Sequence, residues 1–254
     1  MLSIAERHKV ILEKLAREGF VKVADIAAEL DVTTVTIRKD LKLLEEKGLL
    51  YKTHGSASPV NPHLPDRHVA EKEKLHVAEK EGIAVAAAGL IEENDTIIVN
   101  SGSTVSAFVG RIRPRGPLMI VTPCVRVTLA VCDMENVSIF QLGGMFHKRS
   151  LSVIGSHAAG LLRNVSCSKL FLGVDGVDLD WGVTTSNVEE AELNRAMMAA
   201  ASKTIVLCDS SKFGKRGFGR ICGVDAIDVV ITDDGIPLSM KKALEEQGVQ
   251  VIVA

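Results

Sequence analysis

Short runs of branched and aliphatic residues recur through the last two thirds of the chain and limit its possible folds more than any other feature. Each run is almost wholly apolar, and they cover residues 96–99, 118–121, 137–142, 169–174, 204–208, 228–232 and 249–253. Continuous apolar strands of this kind are typical of a sheet covered on both faces. Helical spacing lies between them, at residues 105–112, 157–162, 188–201 and 238–247. This alternation predicts an α/β domain with a mostly parallel sheet over residues 79–254.

The first 57 residues have a different pattern, that of three short helices and a hairpin. Apolar residues recur at helical spacing after Ser3, which is placed to cap the first helix. A second short helix covers residues 23–30, and Thr33 is the expected N-cap of the third. The stretch LLYKTHGSAS that follows is β-prone around a glycine and fits a hairpin. The order of these elements predicts an α+β winged helix-turn-helix domain over residues 1–57.

The third predicted helix has one apolar face and one cationic face. With Ile37 at zero on a helical wheel, Leu41 and Leu44 fall within about 40° of it, and lysines lie on the opposite side. Basic side chains reach phosphates and guanine edges, and threonines permit close approach to DNA. A solvated surface has the same composition, so this face alone does not decide the function. The predicted DNA contacts, with the hairpin included, are Thr33, Thr34, Val35, Thr36, Arg38, Lys39, Lys42, Lys52 and His54.

The overall charge gives no general attraction to nucleic acid. The chain has a net charge of −2, and residues 1–55 carry ten Lys or Arg against nine Asp or Glu, about +1. Any DNA binding must therefore come from a local patch. The five cysteines have no metal-ligand spacing, and no apolar run approaches the length of a membrane span. We expect a cytoplasmic protein with no metal, no cofactor and no membrane partner.

Small and polar residues follow several of the predicted strands. In an open α/β sheet, ligands bind beyond the carboxyl ends of the strands, where such residues gather. A loop of small residues suits a phosphate, Lys212 would supply a cation, and Asp175 would accept bonds from sugar hydroxyls. Each residue alone is equally well explained as part of a turn, a cap or a solvated surface. The predicted ligand-binding set is Ser101, Gly102, Ser103, Thr104, Gly143, Gly144, Asp175, Gly176, Asp178 and Lys212.

Residues 58–78 have the composition of a linker. They include three prolines and the near-repeat VAEKEK and VAEKEG, which is more simply one solvated helix surface than an array. A linker between a DNA-binding domain and a ligand-binding domain is where a ligand-induced rearrangement would be transmitted.

The chain resembles the DeoR family of bacterial transcriptional regulators. The motif T-x-x-T-I-R-K-D-L at residues 33–41 carries the resemblance in the first domain. In the second domain it is carried by GVDGVD, GVTT, EEAELNRAM, DSSKFG and ITDDG, at residues 173–178, 182–185, 189–197, 209–214 and 231–235. The resemblance implies a Rossmann-like effector domain similar to ribose-5-phosphate isomerase. It also implies a homo-oligomer, a dimer or tetramer, that represses a sugar or polyol catabolic operon and leaves double-stranded operator DNA when a phosphorylated sugar or polyol binds.

Two positions depart from the family pattern. Gly55 and Ser56 stand where the family usually has two glycines, and this change does not threaten the assignment. Asn100 precedes the loop where the family commonly has Asp, with Ser103 further along the same loop. A neutral Asn would change the pattern of hydroxyls that the site recognises, so we expect that the ligand need not be the family's commonest one.

An enzyme is the alternative, namely a sugar-phosphate isomerase with an appended DNA-binding domain. Isomerisation needs a positioned base, which in the similar isomerases accompanies a lysine-led glycine-rich segment. Here DGVD is followed by LDWGVTTSN instead, and Glu189, Glu190 and Glu192 read as acids favoured at a helix N-terminus. A scaffold that binds protein through the basic helix would leave the polar loops unexplained. We therefore predict a regulator and no catalytic residues.

Overall fold

The computed structural model describes residues 3–18, 21–47, 49–53, 55–58 and 67–254. Within the first four of these ranges the chain forms helices packed beside a small antiparallel sheet of strand order β1-β3-β2. The elements are α1 (Ile4–Glu18), β1 (Val21–Lys22), α2 (Val23–Glu29), α3 (Thr34–Glu46), β2 (Tyr51–Thr53) and β3 (Ser56–Ser58). The predicted winged helix-turn-helix is confirmed, with the β2–β3 hairpin as its wing.

Local hydrogen bonds begin the helices where the sequence predicts. The Ser3 backbone N–H donates to Oε2 of Glu6 at 2.8 Å, and the Glu6 N–H donates to Oγ of Ser3 at 3.3 Å. This reciprocal pair is a capping box. The Thr36 N–H donates to Oγ1 of Thr33 at 3.2 Å, which confirms Thr33 as the N-cap of α3.

The second unit, residues 67–254, is built around a seven-stranded sheet in which every neighbouring pair is parallel. Its strands are β4 (Thr96–Val99), β5 (Leu118–Thr122), β6 (Val137–Gln141), β9 (Lys169–Gly173), β12 (Thr204–Leu207), β14 (Val229–Thr232) and β15 (Gln250–Val253). Their order is β15-β14-β12-β9-β4-β5-β6. These are the seven runs predicted from the sequence, so the predicted parallel sheet is confirmed.

Helices and two small sheets complete this unit. The helices are α4 (Val69–Lys72), α5 (Val77–Ala88), α6 (Ser103–Val109), α7 (Val125–Val131), α8 (Ser156–Leu161), α9 (Val188–Ala199) and α10 (Leu238–Glu246). The small antiparallel sheets contain β7 (Met145–His147) with β8 (Ser152–Ile154), and β10 (Gly176–Asp178) with β11 (Gly182–Thr185) and β13 (Gly219–Cys222). The sequence analysis did not predict these strands, which are short and lie beside glycines.

The sheet is buried on both faces, as its apolar strands require. Ile97 and Val99 belong to one core cluster, together with residues of α5, α6 and α7. Ile98 points to the opposite face and belongs to a second cluster with residues of α8, α9 and α10. Successive side chains of a strand alternate between faces, so a continuous apolar run fills both clusters at once.

Part of the predicted linker is packed against the second unit. Helix α4 lies wholly within residues 58–78, and α5 begins at Val77. Val69 is buried, and its N–H donates to the Arg149 carbonyl at 2.8 Å. The division of the chain at residues 57 and 79 stays a prediction. The structure adds that residues 67–78 contact the domain that follows them.

Among the described residues, no helix has the length and apolar character that a membrane span needs.

Replacing Phe108 by Ala is expected to lower the free energy of unfolding by about 3–5 kcal/mol. Phe108 is fully buried in α6, and its ring stacks on Phe171 of β9 with the centroids 4.4 Å apart. Urea unfolding of the purified protein would measure the loss. Leu129→Ala in α7, where the side chain is 67% exposed, is the control and should change stability by less than about 0.5 kcal/mol. Equal losses in the two variants would contradict the assigned core.

Candidate DNA-binding surface and ligand pocket

A buried ion pair fixes the third helix on the first. The Arg7 guanidinium in α1 donates from Nε to Oδ2 of Asp40 at 2.7 Å and from Nη2 to Oδ1 at 3.0 Å. The Asp40 carboxylate raises the pKa of Arg7 above its usual value. Bidentate pairing of this kind fixes orientation as well as distance. Together with Ile37, Leu41 and Leu44, which are buried as the helical wheel predicts, it determines which face of α3 points outward.

The outward face of α3 carries most of the predicted DNA contacts. Val35 is 55% exposed, Thr33, Arg38, Lys39 and Lys42 are exposed, and Thr34 and Thr36 are half-buried. Lys52 in β2 is half-buried, and its backbone N–H donates to Oε1 of Glu45 at 2.8 Å, which ties the wing to the end of α3. His54 lies outside the described residues. Contacts between these residues and DNA stay predictions.

A polar pocket that is partly open to solvent lies at the carboxyl edge of the large sheet. It is lined by residues from the loops after β4, β5 and β9, from α9, and from the segment around α4. Among the described residues, four cationic side chains and two carboxylates line it: Arg67, Lys72, Arg149, Lys212, Asp175 and Glu190. The pocket can therefore accept a ligand that is anionic at one point and hydroxylated elsewhere.

Six of the ten predicted ligand-binding residues come together here. They are Ser101, Gly102, Ser103, Thr104, Asp175 and Lys212. Gly143 and Gly144 do not line the pocket; they are exposed and lead from β6 to β7. Gly176 and Asp178 do not line it either; they belong to β10, which pairs with β11 in a small separate sheet.

Gly176 and Asp178 have structural roles in the small sheet that contains β10. A Cβ added to Gly176 would lie 2.3 Å from the Lys215 carbonyl oxygen, so only glycine fits there without a shift of the backbone. Oδ1 of Asp178 accepts hydrogen bonds from the backbone N–H groups of Asp180 and Trp181 at 2.9 and 2.8 Å. The same oxygen accepts from Nη2 of Arg216 at 2.8 Å. This carboxylate organises the β10–β11 turn.

Asn100 holds the small-residue loop against the neighbouring strand. Its Oδ1 accepts the Gly173 N–H at 3.1 Å, and its Nδ2 donates to Oδ1 of Asn194 at 3.2 Å. Gly173 permits this close approach, since a Cβ there would lie 2.9 Å from the Ser101 carbonyl oxygen. Asn100 lines the pocket while both ends of its amide bond to the protein. Its effect on the choice of ligand hydroxyls stays a prediction.

Asp175 is a buried anion paired with a lysine from far along the chain. Lys72 Nζ donates to Oδ1 of Asp175 at 2.6 Å, and Oδ2 accepts from the Ser186 backbone N–H at 3.1 Å and from its hydroxyl at 3.0 Å. Burial alone would raise the pKa of Asp175, but Lys72, Lys212 and the Ser186 hydroxyl outweigh it and lower that pKa. Asp175 is therefore a charged acceptor at neutral pH.

Glu190 forms the second anionic group of the pocket. Asn187 caps α9, because its side chain accepts hydrogen bonds from the Glu189 and Glu190 N–H groups. The Glu190 carboxylate accepts a hydrogen bond from the Thr185 hydroxyl at 2.9 Å and lies 3.1 Å from Nδ1 of His147. Burial would raise the pKa of Glu190, but hydrogen bonds from His147, Ser150 and Thr185 lower it overall. The sequence analysis treated this residue only as a helix N-terminal acid.

The sequence analysis also missed three of the cations, Arg67, Lys72 and Arg149. Two of them lie in the predicted linker, and the third lies between the short strands β7 and β8. The near-repeat that contains Lys72 was visible, but nothing in its spacing indicated a contact with Asp175. Within the described ranges, no group of His, Cys, Asp and Glu could hold a metal ion.

A winged helix-turn-helix joined to an α/β domain with a polar pocket defines a class, the ligand-responsive DNA-binding proteins. Comparison with known proteins assigns the family. Residues 7–62 match the family model described as "DeoR-like helix-turn-helix domain", and residues 75–234 match the one described as "DeoR C terminal sensor domain". The chain belongs to the DeoR family of transcriptional regulators.

Similar proteins match over nearly the whole chain. A putative aga operon transcriptional repressor of Escherichia coli O157:H7 is 36% identical over 98% of this chain and 93% of its own length. The uncharacterised HTH-type transcriptional regulator YulB of Bacillus subtilis strain 168 is 32% identical over 98% of this chain and 96% of its own. Among solved structures, ribose 5-phosphate isomerase A of Methanocaldococcus jannaschii is 15% identical, with a TM-score of 0.38 over 54% of each chain.

Replacing Glu190 by Gln is expected to reduce the loss of stability in acid. The pKa of Glu190 in the folded protein lies below its usual 4.5, so the unfolded chain takes up the proton first. The contribution of Glu190 is therefore present above the unfolded-state pKa and is lost as the pH falls through the folded-state pKa. The free energy of unfolding of the wild type should fall as the pH drops below about 5, and the fall should be smaller in Glu190→Gln.

Urea unfolding at a series of pH values would measure this difference. Glu189→Gln, at the exposed neighbouring position, is the matched control, and its free energy of unfolding should depend on pH as in the wild type. If the free energy of unfolding of Glu190→Gln depended on pH as in the wild type, the role assigned to Glu190 would be contradicted.

Proposed function

We propose that this protein represses a sugar or polyol catabolic operon and is released from its operator by a phosphorylated sugar intermediate. The winged domain would bind double-stranded DNA, and the sensor domain would bind the effector. The Escherichia coli relative is named as a putative repressor of the aga operon, which supports repression as the mode of action. A cytoplasmic location, where operator DNA and phosphorylated metabolites are both present, is part of the same proposal.

The observation that carries the effector proposal is the mixture of charges in one pocket. A phosphate group carries most of two negative charges at neutral pH and accepts several hydrogen bonds. Lys212, Arg67 and Arg149 would bind it, with backbone N–H groups of the loop at residues 101–104. Asp175 and Glu190, kept ionised, would accept hydrogen bonds from sugar hydroxyls. A Cβ added at Gly102 would meet no atom within 4 Å, so a phosphate would have room beside the backbone there.

The same carboxylates argue against catalysis. A general base works best when its pKa lies near the operating pH. The pKa values of Asp175 and Glu190 are lowered, and both groups are held by hydrogen bonds within the protein. Either carboxylate would therefore be a weak base for moving a proton between sugar carbons. We propose that the pocket binds its ligand without converting it, in preference to the isomerase alternative.

The DNA-binding mode would require more than one subunit. The outward face of α3 reaches only a few base pairs, too few for useful specificity in a genome. A homo-oligomer, a dimer or tetramer, would place several copies of α3 on repeated half-sites. This arrangement belongs to the proposal, since a single chain is described.

Replacing Arg38 by Ala is expected to weaken operator binding by at least about tenfold, because a basic side chain that contacts a base edge is worth about 1–3 kcal/mol. The DNA would be a duplex selected by the wild-type protein from a random-sequence pool, and fluorescence anisotropy would give the dissociation constant. Arg17→Ala, an exposed arginine at the end of α1, is the matched control. Unchanged affinity in Arg38→Ala would remove that residue from the recognition surface.

Thermal unfolding with a panel of phosphorylated compounds would test the effector. Ribose 5-phosphate, glucose 6-phosphate, fructose 1-phosphate, tagatose 6-phosphate and glycerol 3-phosphate would be compared with their unphosphorylated parents. A ligand at about 100 times its dissociation constant stabilises the folded state by roughly 2.7 kcal/mol. We expect the unfolding temperature to rise with a phosphorylated compound only. This rise should be lost in Lys212→Ala and kept in Lys203→Ala, the control in which an exposed lysine is removed. An equal rise in unfolding temperature with an unphosphorylated parent compound would contradict the phosphate site.

A further inference from the structure

The segment that enters the sensor domain forms one wall of its pocket. We call residues 67–74, which contain α4, the strap. Arg67, Val69 and Lys72 of the strap line the pocket, and the N–H of the buried Val69 donates to the carbonyl of Arg149, another lining residue. The strap is therefore both part of the ligand site and the start of the second domain.

Polar contacts on three sides fix the strap. On the pocket side, Lys72 Nζ lies 2.6 Å from Oδ1 of Asp175; we call this ion pair the latch. On the other side, Arg126 of α7 donates to Oε1 of Glu73 at 2.5 Å. From α5, the buried Lys80 ammonium donates to the Lys72 carbonyl at 2.5 Å and also to the Leu75 carbonyl. These carbonyls lie at the end of α4, so Lys80 serves as a C-terminal cap.

The chain connects the strap closely to the DNA-binding domain. Strand β3, the second strand of the wing, ends at Ser58, and the strap begins at Arg67, so eight residues, 59–66, separate them. A movement of the strap changes the point from which the winged domain is tethered. Because several subunits must place α3 on spaced half-sites, the position of that tether affects operator binding.

A phosphorylated ligand competes for both partners of the latch. Its phosphate offers Lys72 a more highly charged acceptor than one carboxylate, and its hydroxyls offer Asp175 new donors. We propose that effector binding opens the Lys72–Asp175 latch, and that the released strap moves the tether of the winged domain and weakens operator binding. This inference rests on the proposed function, since it describes how the effector site would control DNA binding. The closed latch is then the DNA-binding state, and the ligand favours the open one.

Breaking the latch by mutation should imitate the effector. Lys72→Gln and Asp175→Asn each remove one charge of the pair and keep a polar side chain of similar size. Without any ligand, both should bind the selected duplex about tenfold more weakly than the wild type, within the usual range of allosteric coupling. Lys72→Arg keeps a cation for Asp175 and should bind more tightly than Lys72→Gln. Lys74→Gln removes an exposed charge two residues away and is the matched control for general electrostatics.

Hydrogen exchange separates an open strap from a misfolded domain. In Lys72→Gln, the amide of Val69 should exchange faster, while amides of the large sheet keep their wild-type protection. Arg126→Gln gives a second route to the same state, because it breaks the contact with Glu73 without changing the identity of any pocket residue. It should also weaken DNA binding without ligand.

The outcomes distinguish this inference from the proposed function. DNA affinity within about twofold of the wild type in Lys72→Gln, Asp175→Asn and Arg126→Gln would overturn the latch, even if a phosphorylated sugar stabilises the protein. Weak DNA binding in these three variants, with Lys74→Gln unaffected, would support the latch. It would do so even if the panel of phosphorylated compounds gave no thermal shift and the proposed effector class were wrong.

Discussion

The common direction of the strands in the large sheet is the constraint on which the ligand pocket depends. Parallel strands place all their carboxyl ends at one edge, so the loops after β4, β9 and β12 meet there although Lys212 lies 112 positions after Asn100. The apolar runs that make the strands also require helices on both faces, and α6 and α9 begin at this same edge. The core and the pocket therefore follow from one topology.

Two buried ion pairs illustrate how geometry separates a structural contact from one that a ligand can open. Arg7 and Asp40 share two hydrogen bonds between α1 and α3, and their side chains are 10% and 4% exposed. Lys72 and Asp175 share one hydrogen bond at a pocket wall, and theirs are 21% and 13% exposed. Removing either partner of the enclosed pair would leave a buried charge without compensation. At the pocket wall the proposed anionic, hydroxylated ligand would compensate the charges of both partners, so it could replace the ion pair there.

Sequence patterns could predict the strands and the helix caps because those depend on neighbouring residues. The apolar runs and the Thr33 cap are local signals, and the edge rule for parallel sheets then brought Ser101–Thr104, Asp175 and Lys212 together. The same rule also placed Gly176 and Asp178 with them, but these two residues form part of β10 in a small separate sheet and do not line the pocket. Lys72 could not be found in this way, since its partner lies 103 residues further along the chain. Glu190 has a sufficient local explanation at the start of α9, and that explanation concealed its place in the pocket.

The charges of the pocket also indicate what it should reject. Among the described lining residues, four cations and two ionised carboxylates give the pocket a net charge of about +2. A phosphate monoester would nearly neutralise that charge, whereas an unphosphorylated sugar would leave it unchanged. A dicarboxylate has a suitable charge but lacks the hydroxyl donors that Asp175 and Glu190 would need once they are withdrawn from water. Under the proposed function, charge would select the phosphate, and the two carboxylates would select the hydroxylated carbon chain that carries it.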